Sequence, residues 1–251
     1  MFGFFKKKKA VVDIINFAGI GTDIHSHLIP NIDDGSDSLE TSIALLKGFA
    51  DLGFKHIITT PHIMFEVYDS RHASILSGLK TLQERLHTEG VDITLRAAAE
   101  YFLDDHFLNL LNTEPLLTVW ENEVLVEMSF YAPPRGIYDY LFQIGVKGYQ
   151  PILAHPERYG YYHDNYAEYQ VFKDKGIKFQ LNILSLIGYY GESVKKTALR
   201  LIKDNLIDYL GSDVHHIKHL SLLKEHLADP ELQRILLEYP FQNVHINKST
   251  I

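Results

Sequence analysis

Short apolar runs rich in β-branched residues alternate along this chain with longer segments of helical periodicity. The strand-like runs cover residues 21–25, 55–60, 92–99, 123–128, 149–154, 177–182 and 207–211. The helical segments cover residues 36–53, 72–89, 105–111, 137–146, 164–175, 192–205, 216–228 and 230–238. This alternation predicts parallel βα units, which form either a doubly wound sheet or a barrel.

The first helical segment also carries signals for its own ends. Leu39, Ile43 and Leu46 fall on one helical face. Asp37 with Glu40 three residues later predicts a capping box, and Gly53 suits the left-handed position that ends many helices.

Polar side chains at the ends of the strand-like runs distinguish between the two architectures. All the runs except the sixth end in a histidine or a carboxylate, and the sixth ends in Asn182. The groups at or after these ends are His25, His27, Asp33, Asp34, His62, Glu100, Glu127, His155, Arg158, Asp213, His215 and His216. Strand ends converge on one face of a parallel barrel, so the pattern favours a barrel with a site at that face.

Imidazoles and carboxylates without thiols are the ligands expected for Mn²⁺, Fe²⁺ or Zn²⁺. The predicted ligands are His25, His27, Asp34, His62, Glu100, Glu127, His155, Asp213 and His215. This number suits about three ions at three to four protein ligands each. Three divalent ions against four carboxylates would leave excess positive charge for a phosphate dianion.

The remaining polar residues of these motifs receive simpler interpretations. Asp33 is expected in the turn or behind a ligand, and Asp23 is expected behind a ligand or at a strand edge. The histidines predicted to lie at the surface are His56, His72, His87, His106, His163, His219, His226 and His245.

Composition narrows the class of protein. The 251 residues carry a net charge of −8, which disfavours nucleic-acid binding, and contain no cysteine, which excludes disulfides and a cysteine nucleophile. No run of about 20 apolar residues predicts a membrane span, so a cytoplasmic protein is expected. The lysine run in "FFKKKK" is expected to be solvated, with weak contact to an anionic membrane surface as the alternative.

Several motifs together resemble the polymerase-and-histidinol-phosphatase (PHP) superfamily. They are "DIHSHLIPNIDDG", "TTPHI", "AAAEYF", "LVEMS", "ILAHPERY" and "GSDVHH". More narrowly, they resemble its bacterial manganese-dependent protein-tyrosine phosphatases, which occur with capsule and exopolysaccharide operons. About twenty residues precede the first motif, so residues 1–20 are taken as an N-terminal extension and 21–251 as one domain.

The resemblance implies a distorted (β/α)7 barrel with three metal ions, Mn²⁺ being expected, held by the nine residues named above. It implies hydrolysis of phosphotyrosine on a tyrosine autokinase that regulates polysaccharide export. Arg158 matches the phosphate-binding arginine of the family, and Arg135 in "YAPPRG" lies near a second one. The expected chemistry is attack on phosphorus by a metal-activated hydroxide.

Other functions remain open on the sequence alone. The same site could serve a small-molecule phosphomonoesterase acting on histidinol phosphate, or a non-catalytic scaffold stabilised by metal. A metal-dependent amide hydrolase is disfavoured because no lysine ends a strand where such barrels place a carboxylated one.

Overall fold

The computed structural model describes residues 16–68 and 71–246. The lysine run and most of the predicted N-terminal extension lie outside the described residues. Within that extension, Phe17 and Ile20 are buried in the main core, and the ring of Phe17 stacks on that of Phe54 with 5.0 Å between centroids. The described end of the extension therefore packs against the barrel.

The strands are short and parallel. They are β1 (Thr22–Asp23), β2 (His56–Thr59), β3 (His62–Ile63), β4 (Thr94–Ala97), β5 (Glu100–Phe102), β6 (Glu123–Glu127), β7 (Gln150–Ala154), β8 (Lys178–Asn182) and β9 (Tyr209–Gly211). Each lies within or directly after a predicted run, because these runs are apolar enough to be buried on both faces.

The strands form a barrel that is interrupted on one side. One sheet has the order β1-β2-β4 and the other β3-β5-β6-β7-β8-β9. The barrel closes where Ser26 bridges Val214 in parallel and the Asp213 amide donates to the His25 carbonyl at 2.7 Å. β3 follows β2 closely in the chain, and β5 follows β4 in the same way. Each of these two pairs occupies a single position in the barrel, so the nine strands fill seven positions. The predicted distorted seven-position barrel is confirmed.

Helices surround this barrel. They are α1 (Leu39–Asp51), α2 (His72–Glu89), α3 (Asp105–Thr113), α4 (Ile137–Val146), α5 (Ala167–Asp174), α6 (Ile183–Leu186), α7 (Glu192–Lys203), α8 (Ile217–His226) and α9 (Pro230–Glu238). The spacing of apolar residues predicts all of them except α6, a single turn directly after β8.

The predicted capping box at α1 is wrong. Ser38 is the N-cap, and its hydroxyl accepts a hydrogen bond from the Thr41 amide at 3.1 Å. Asp37 instead accepts from the Thr41 hydroxyl at 2.7 Å. A serine in extended conformation offers its oxygen at the right place for the first free amides, so it displaces the aspartate before it. Gly53 does adopt the expected positive φ, +97°.

Alternation along a strand places the chemistry at one end of the barrel. In β6, Leu125 belongs to a small buried cluster with Ile58 and Ile152, and Glu127 lies two residues later on the same face. An apolar layer thus lies beneath the carboxylate. The carboxyl ends of the strands therefore hold buried polar groups above an apolar floor.

Candidate metal centre

The residues predicted as metal ligands lie together at the carboxyl end of the barrel. Their ligand atoms form four overlapping groups, and within each group all atoms lie within 4.8 Å of one another. The groups are His27, Asp34, His62 and His215; His25, Glu100 and His155; His25, His27 and Asp213; and His62, Glu100 and Glu127. Each of the nine residues predicted as metal ligands belongs to at least one of these groups.

Glu100 occupies the centre of the cluster. Its Oε2 lies 3.1 Å from His25 Nε2 and 3.2 Å from His62 Nδ1, and its Oε1 lies 3.1 Å from His155 Nε2. One carboxylate therefore faces three imidazoles that come from three different strand ends. Glu100 therefore belongs to two of the four groups and would be able to serve both.

Asp213 joins the opposite side of the cluster. Its Oδ1 lies 3.4 Å from Nε2 of both His25 and His27, and 3.5 Å from His215 Nδ1. Its Oδ2 accepts hydrogen bonds from Arg158 Nη1 at 2.8 Å and from the side-chain amide, Nδ2, of Asn182 at 2.7 Å. One oxygen of Asp213 thus faces the imidazoles while the other is held by neutral and cationic donors.

Asp34 and Glu127 complete the rim. Asp34 Oδ1 lies 3.5 Å from His215 Nε2 and 3.6 Å from His62 Nε2, and its side chain is half exposed. Glu127 is buried, with Oε1 3.0 Å from His62 Nδ1. The cluster is therefore closed below and open to solvent on the Asp34 side.

Two imidazoles are oriented by residues behind them. His25 Nδ1 donates to Gln180 Oε1 at 2.8 Å, and His27 Nδ1 donates to Asp33 Oδ2 at 2.8 Å. In both rings the opposite nitrogen, Nε2, then faces the cluster. Such hydrogen bonds fix the ring and strengthen Nε2 as a ligand, so these residues fit a divalent cation.

Gln180 was not singled out in the sequence. Its Nε2 donates to Asn182 Oδ1 at 2.9 Å, which leaves Oε1 to accept from His25. Gly211 makes room for this pair, because an added Cβ there would lie 2.6 Å from Gln180 Nε2 and 2.7 Å from His25 Cβ. The available signal was the spacing in "KFQLN", where Gln180 lies two residues before Asn182 on the same face of a buried strand.

The electrostatic balance of the cluster favours bound positive charge. Burial would raise the pKa of Glu100, but His25 and His62 hold it well below its usual range. Burial likewise opposes ionisation of Asp213, and His25 and His215 lower its pKa. Burial disfavours charge on His25, yet Glu100 and Asp213 raise its pKa to about 9. Protons or divalent cations can supply the positive charge that these carboxylates attract.

Two of the clustered residues have unusual backbone conformations. His155 has a φ of +35° and Asp213 a φ of +53°. Left-handed conformations are unfavourable for residues with a Cβ and concentrate at functional sites. The turn at His155 directs its side chain into the cluster instead of continuing β7.

Arg158 lies between two aromatic rings beside the cluster. Its guanidinium carbon is 4.5 Å from the ring centre of Phe130 and 4.1 Å from that of Tyr190. Contact with both rings restricts the movement of the guanidinium. Arg135, by contrast, is exposed in the loop before α4, and no contact found in residues 16–68 and 71–246 joins it to the cluster.

A family model described as capsular polysaccharide synthesis, CpsB/CapC, matches residues 21–224. The chain belongs to the CpsB/CapC family. The tyrosine-protein phosphatase YwqE of Bacillus subtilis is 30% identical over 197 residues, with 78% of each chain covered. The tyrosine-protein phosphatase CpsB of Streptococcus pneumoniae is 27% identical over 201 residues, covering 78% of this chain and 83% of CpsB.

The fold of this CpsB/CapC protein also matches a solved relative. That structure comes from work on YwqE and CpsB, described as unique metal-dependent tyrosine phosphatases. It superimposes with a TM-score of 0.75 at 29% identity, covering 86% of this chain and 90% of that one. Over the part of the chain that the structure describes, no helix is long and apolar enough to cross a membrane.

One histidine of the CpsB/CapC chain is not at the surface as predicted. His219 is buried, and its Nδ1 accepts from the His215 amide at 3.3 Å. Its Nε2 is 3.1 Å from the Tyr189 hydroxyl, and its ring lies 4.0 Å from that of His216. The prediction failed because a histidine on an amphipathic helix looks the same in sequence whether its face meets solvent or a loop. His219 supports the loop that carries His215.

Asp33, expected in a turn or behind a ligand, contacts two clustered residues, and Asp23, expected behind a ligand or at a strand edge, contacts the residue before Asp213. Asp33 accepts from His27 and also from the His62 amide at 3.0 Å. Asp23 is buried and accepts from the Ser212 amide at 2.7 Å and the Ser212 hydroxyl at 3.0 Å. Burial raises the pKa of Asp23 to about 7. Each aspartate thus fixes backbone next to a clustered residue.

Proposed function

We propose that this protein is a metal-dependent phosphatase of phosphotyrosine proteins. The observation that carries the proposal is the placement of Arg158 at the edge of a half-open cluster of imidazoles and carboxylates, so that a phosphate could contact both. The names of YwqE and CpsB support the substrate class.

Three divalent ions are proposed, with Mn²⁺ as the expected metal and Fe²⁺ or Zn²⁺ as alternatives. The ligands are those in the four overlapping groups: His25, His27, Asp34, His62, Glu100, Glu127, His155, Asp213 and His215. When bound, such ions supply Lewis-acid activation of water and of the phosphoryl group. The carboxylates and the oriented imidazoles would hold these ions, and the apolar cluster beneath Glu127 keeps bulk water from that side.

Arg158 is proposed to bind the phosphate. Asp213 accepts from one nitrogen, Nη1, so other N–H groups of the same planar guanidinium remain to donate to phosphate oxygens. The rings of Phe130 and Tyr190 hold those donors in place before substrate arrives, which makes the stabilisation of developing charge more effective. Arg135 is proposed as a second phosphate-binding residue, on the motif alone.

The partner is proposed to be a tyrosine autokinase of polysaccharide synthesis or export, in the cytoplasm. Membership in a family of capsular polysaccharide synthesis supports this assignment. Residues 21–251 are proposed to act as one domain. The lysine run before it is proposed to be solvated, with weak contact to an anionic membrane surface as the alternative.

A metal-removal assay tests the function. Purified protein is treated with a chelator and assayed on a phosphotyrosine peptide, a phosphoserine peptide and histidinol phosphate, before and after Mn²⁺ is added. We expect activity on the phosphotyrosine peptide to disappear and return with Mn²⁺, and the His155→Ala protein to stay inactive. The exposed His87→Ala variant is the control.

The other outcomes of this assay favour the rival functions. Preference for histidinol phosphate over the peptide would favour the small-molecule phosphomonoesterase. Metal binding without hydrolysis of any phosphoester would favour the scaffold. Full activity after exhaustive chelation would contradict metal dependence.

A further inference from the structure

A cavity lies next to the cluster and is used by none of the roles proposed so far. Its volume is about 670 Å3. Its walls come from Ile63 in β3, from residues 64–68 after it, from the start of α2 and from α3. The aliphatic, methionine and phenylalanine side chains that line it are Ile63, Met64, Phe65, Val67, Phe107 and Leu110. We call this cavity the side pocket.

The side pocket shares a wall with the metal centre. Ile63 directly follows His62 in β3 and lines the side pocket. Tyr68 also lines it, and its ring stacks on the His62 imidazole with 5.4 Å between centroids and 8° between planes. The same His62 ring reaches the open rim, where its Nε2 lies 3.6 Å from Asp34 Oδ1. The side pocket and the half-open side of the cluster are therefore neighbours across one tyrosine ring.

The side pocket exposes large apolar side chains to solvent. Phe65 is 53% exposed and Val67 59% exposed. The ring of Phe65 rests on that of His106, with 3.6 Å between centroids, while Phe107 and Leu110 lie deeper. Adjacent exposed apolar groups at the mouth of a site are typical of a binding surface.

We propose that the side pocket binds an apolar side chain of the substrate protein, one to three residues from the phosphotyrosine. This inference rests on the proposed function. A polypeptide whose phosphate lies at the cluster must continue past the rim, and each residue extends it by at most about 3.5 Å. A neighbouring aliphatic or aromatic side chain can therefore reach past Tyr68 and cover Phe65 and Val67.

The side pocket also has charged groups of both signs, Arg71 on one side and Asp104 and Glu114 on the other. Such a mixed rim suits a peptide backbone better than a strongly charged ligand. The side pocket would thus select among phosphotyrosine proteins by the residues beside the phosphotyrosine, while the metal centre and Arg158 bind the phosphate itself.

A peptide series tests this proposal. Phosphotyrosine peptides with leucine at one flanking position, from three before to three after, are compared with an all-alanine peptide, and p-nitrophenyl phosphate serves as the reference. For the wild type we expect one leucine position to raise kcat/KM about tenfold, equivalent to about 1.4 kcal/mol. In Phe65→Ala the gain should fall to about twofold, mainly through KM.

Two further variants make the result decisive. Phe142→Ala removes an equally large side chain that is 67% exposed on α4, and it should retain the tenfold gain. Val67→Ala should also reduce the tenfold gain in kcat/KM. This variant provides the test if Phe65→Ala does not fold.

Each remaining outcome overturns the proposal. Equal kcat/KM for all phosphotyrosine peptides in the wild type would exclude side-chain binding while leaving the phosphatase function intact. Hydrolysis of p-nitrophenyl phosphate without hydrolysis of any peptide would overturn the proposed function too. A Phe65→Ala protein that keeps the tenfold gain, with Val67→Ala doing the same, would show that the side pocket does not bind the flanking side chain.

Discussion

At the scale of single residues, the hydrogen bond that His25 Nδ1 donates to Gln180 Oε1 determines how His25 faces the cluster. Replacing Gln180 by methionine keeps the volume but removes the acceptor for His25 Nδ1. The ring can then rotate or change tautomer, and we expect affinity for Mn²⁺ to fall about tenfold to hundredfold. Competition with a chelator of known affinity measures this change.

The matched control is Gln170→Met. Gln170 is exposed on α5, and its side-chain amide donates to Asp174 Oδ1 in the same helix at 2.8 Å. Its replacement should leave metal affinity unchanged. Equal affinity in Gln180→Met and the wild type would contradict the orienting role.

Arg158 allows a second residue-scale prediction. The Arg158→Lys variant keeps a positive charge near Asp213. It loses the planar guanidinium and its contacts with the rings of Phe130 and Tyr190. We expect metal content to be retained and kcat/KM for phosphotyrosine peptide to fall about tenfold to hundredfold. Metal analysis and steady-state kinetics on the same preparation test both parts.

Arg200 supplies a control with similar partners away from the site. Its guanidinium carbon lies 3.4 Å from the ring centre of Tyr166, and its Nε lies 3.8 Å from Asp204. Arg200→Lys should therefore lose the same kinds of contact without affecting hydrolysis. A comparable loss of activity in both variants would mean that general destabilisation, and not phosphate binding, explains Arg158→Lys.

At the scale of elements, Glu157 connects the turn after β7 to β8 and α6. It is fully buried, and its Oε1 accepts hydrogen bonds from the backbone N–H of Asn182 at 3.0 Å and from the Ser185 hydroxyl at 2.6 Å. Burial raises the pKa of its carboxyl from 4.5 to about 7. The folded state thus prefers the protonated form, so its stabilising contribution is complete below 4.5 and is lost as pH rises through 7.

Glu157→Gln should remove this pH dependence, because the amide mimics the protonated acid. Between pH 5 and pH 8, we expect the wild type to lose unfolding free energy on the order of 2 to 3 kcal/mol relative to the variant. Urea unfolding of metal-free protein at both pH values measures the difference. Glu84→Gln, on the exposed face of α2, should follow the wild type.

The sequence predicts most elements because their signals are local. Apolar spacing predicts α2, α4 and α9 with the observed ends, and the polar strand ends predict which residues cluster. The interruption between β2 and β3 was not anticipated, although Pro61 lies there and has no amide hydrogen for a sheet ladder.

Other features depend on contacts distant in the chain. Gln180 meets His25 across 155 residues, and His219 meets Tyr189 across 30. Residue type and spacing carry little information about such pairs. For the same reason, the side pocket could not be inferred from the motifs, because α3 and the loop after β3 meet only in the folded chain.

At the scale of the whole molecule, the cluster concentrates negative charge in a protein whose net charge is already −8. Four carboxylates, those of Asp34, Glu100, Glu127 and Asp213, lie within one group of strand ends. Bound cations would relieve their repulsion in the folded state, whereas the unfolded chain has no preformed site. Metal binding should therefore stabilise the fold as well as support catalysis.

Thermal unfolding tests this coupling. At a Mn²⁺ concentration of about 100 times Kd, each occupied site adds about 2.7 kcal/mol, which corresponds to a rise in Tm of roughly 5 to 10 °C for a chain of this size. Because His155 faces both Glu100 and Glu127, His155→Ala should lose part of that rise, while His87→Ala should retain it. An identical rise in both variants would show that the added Mn²⁺ stabilises the protein at some other place than this cluster.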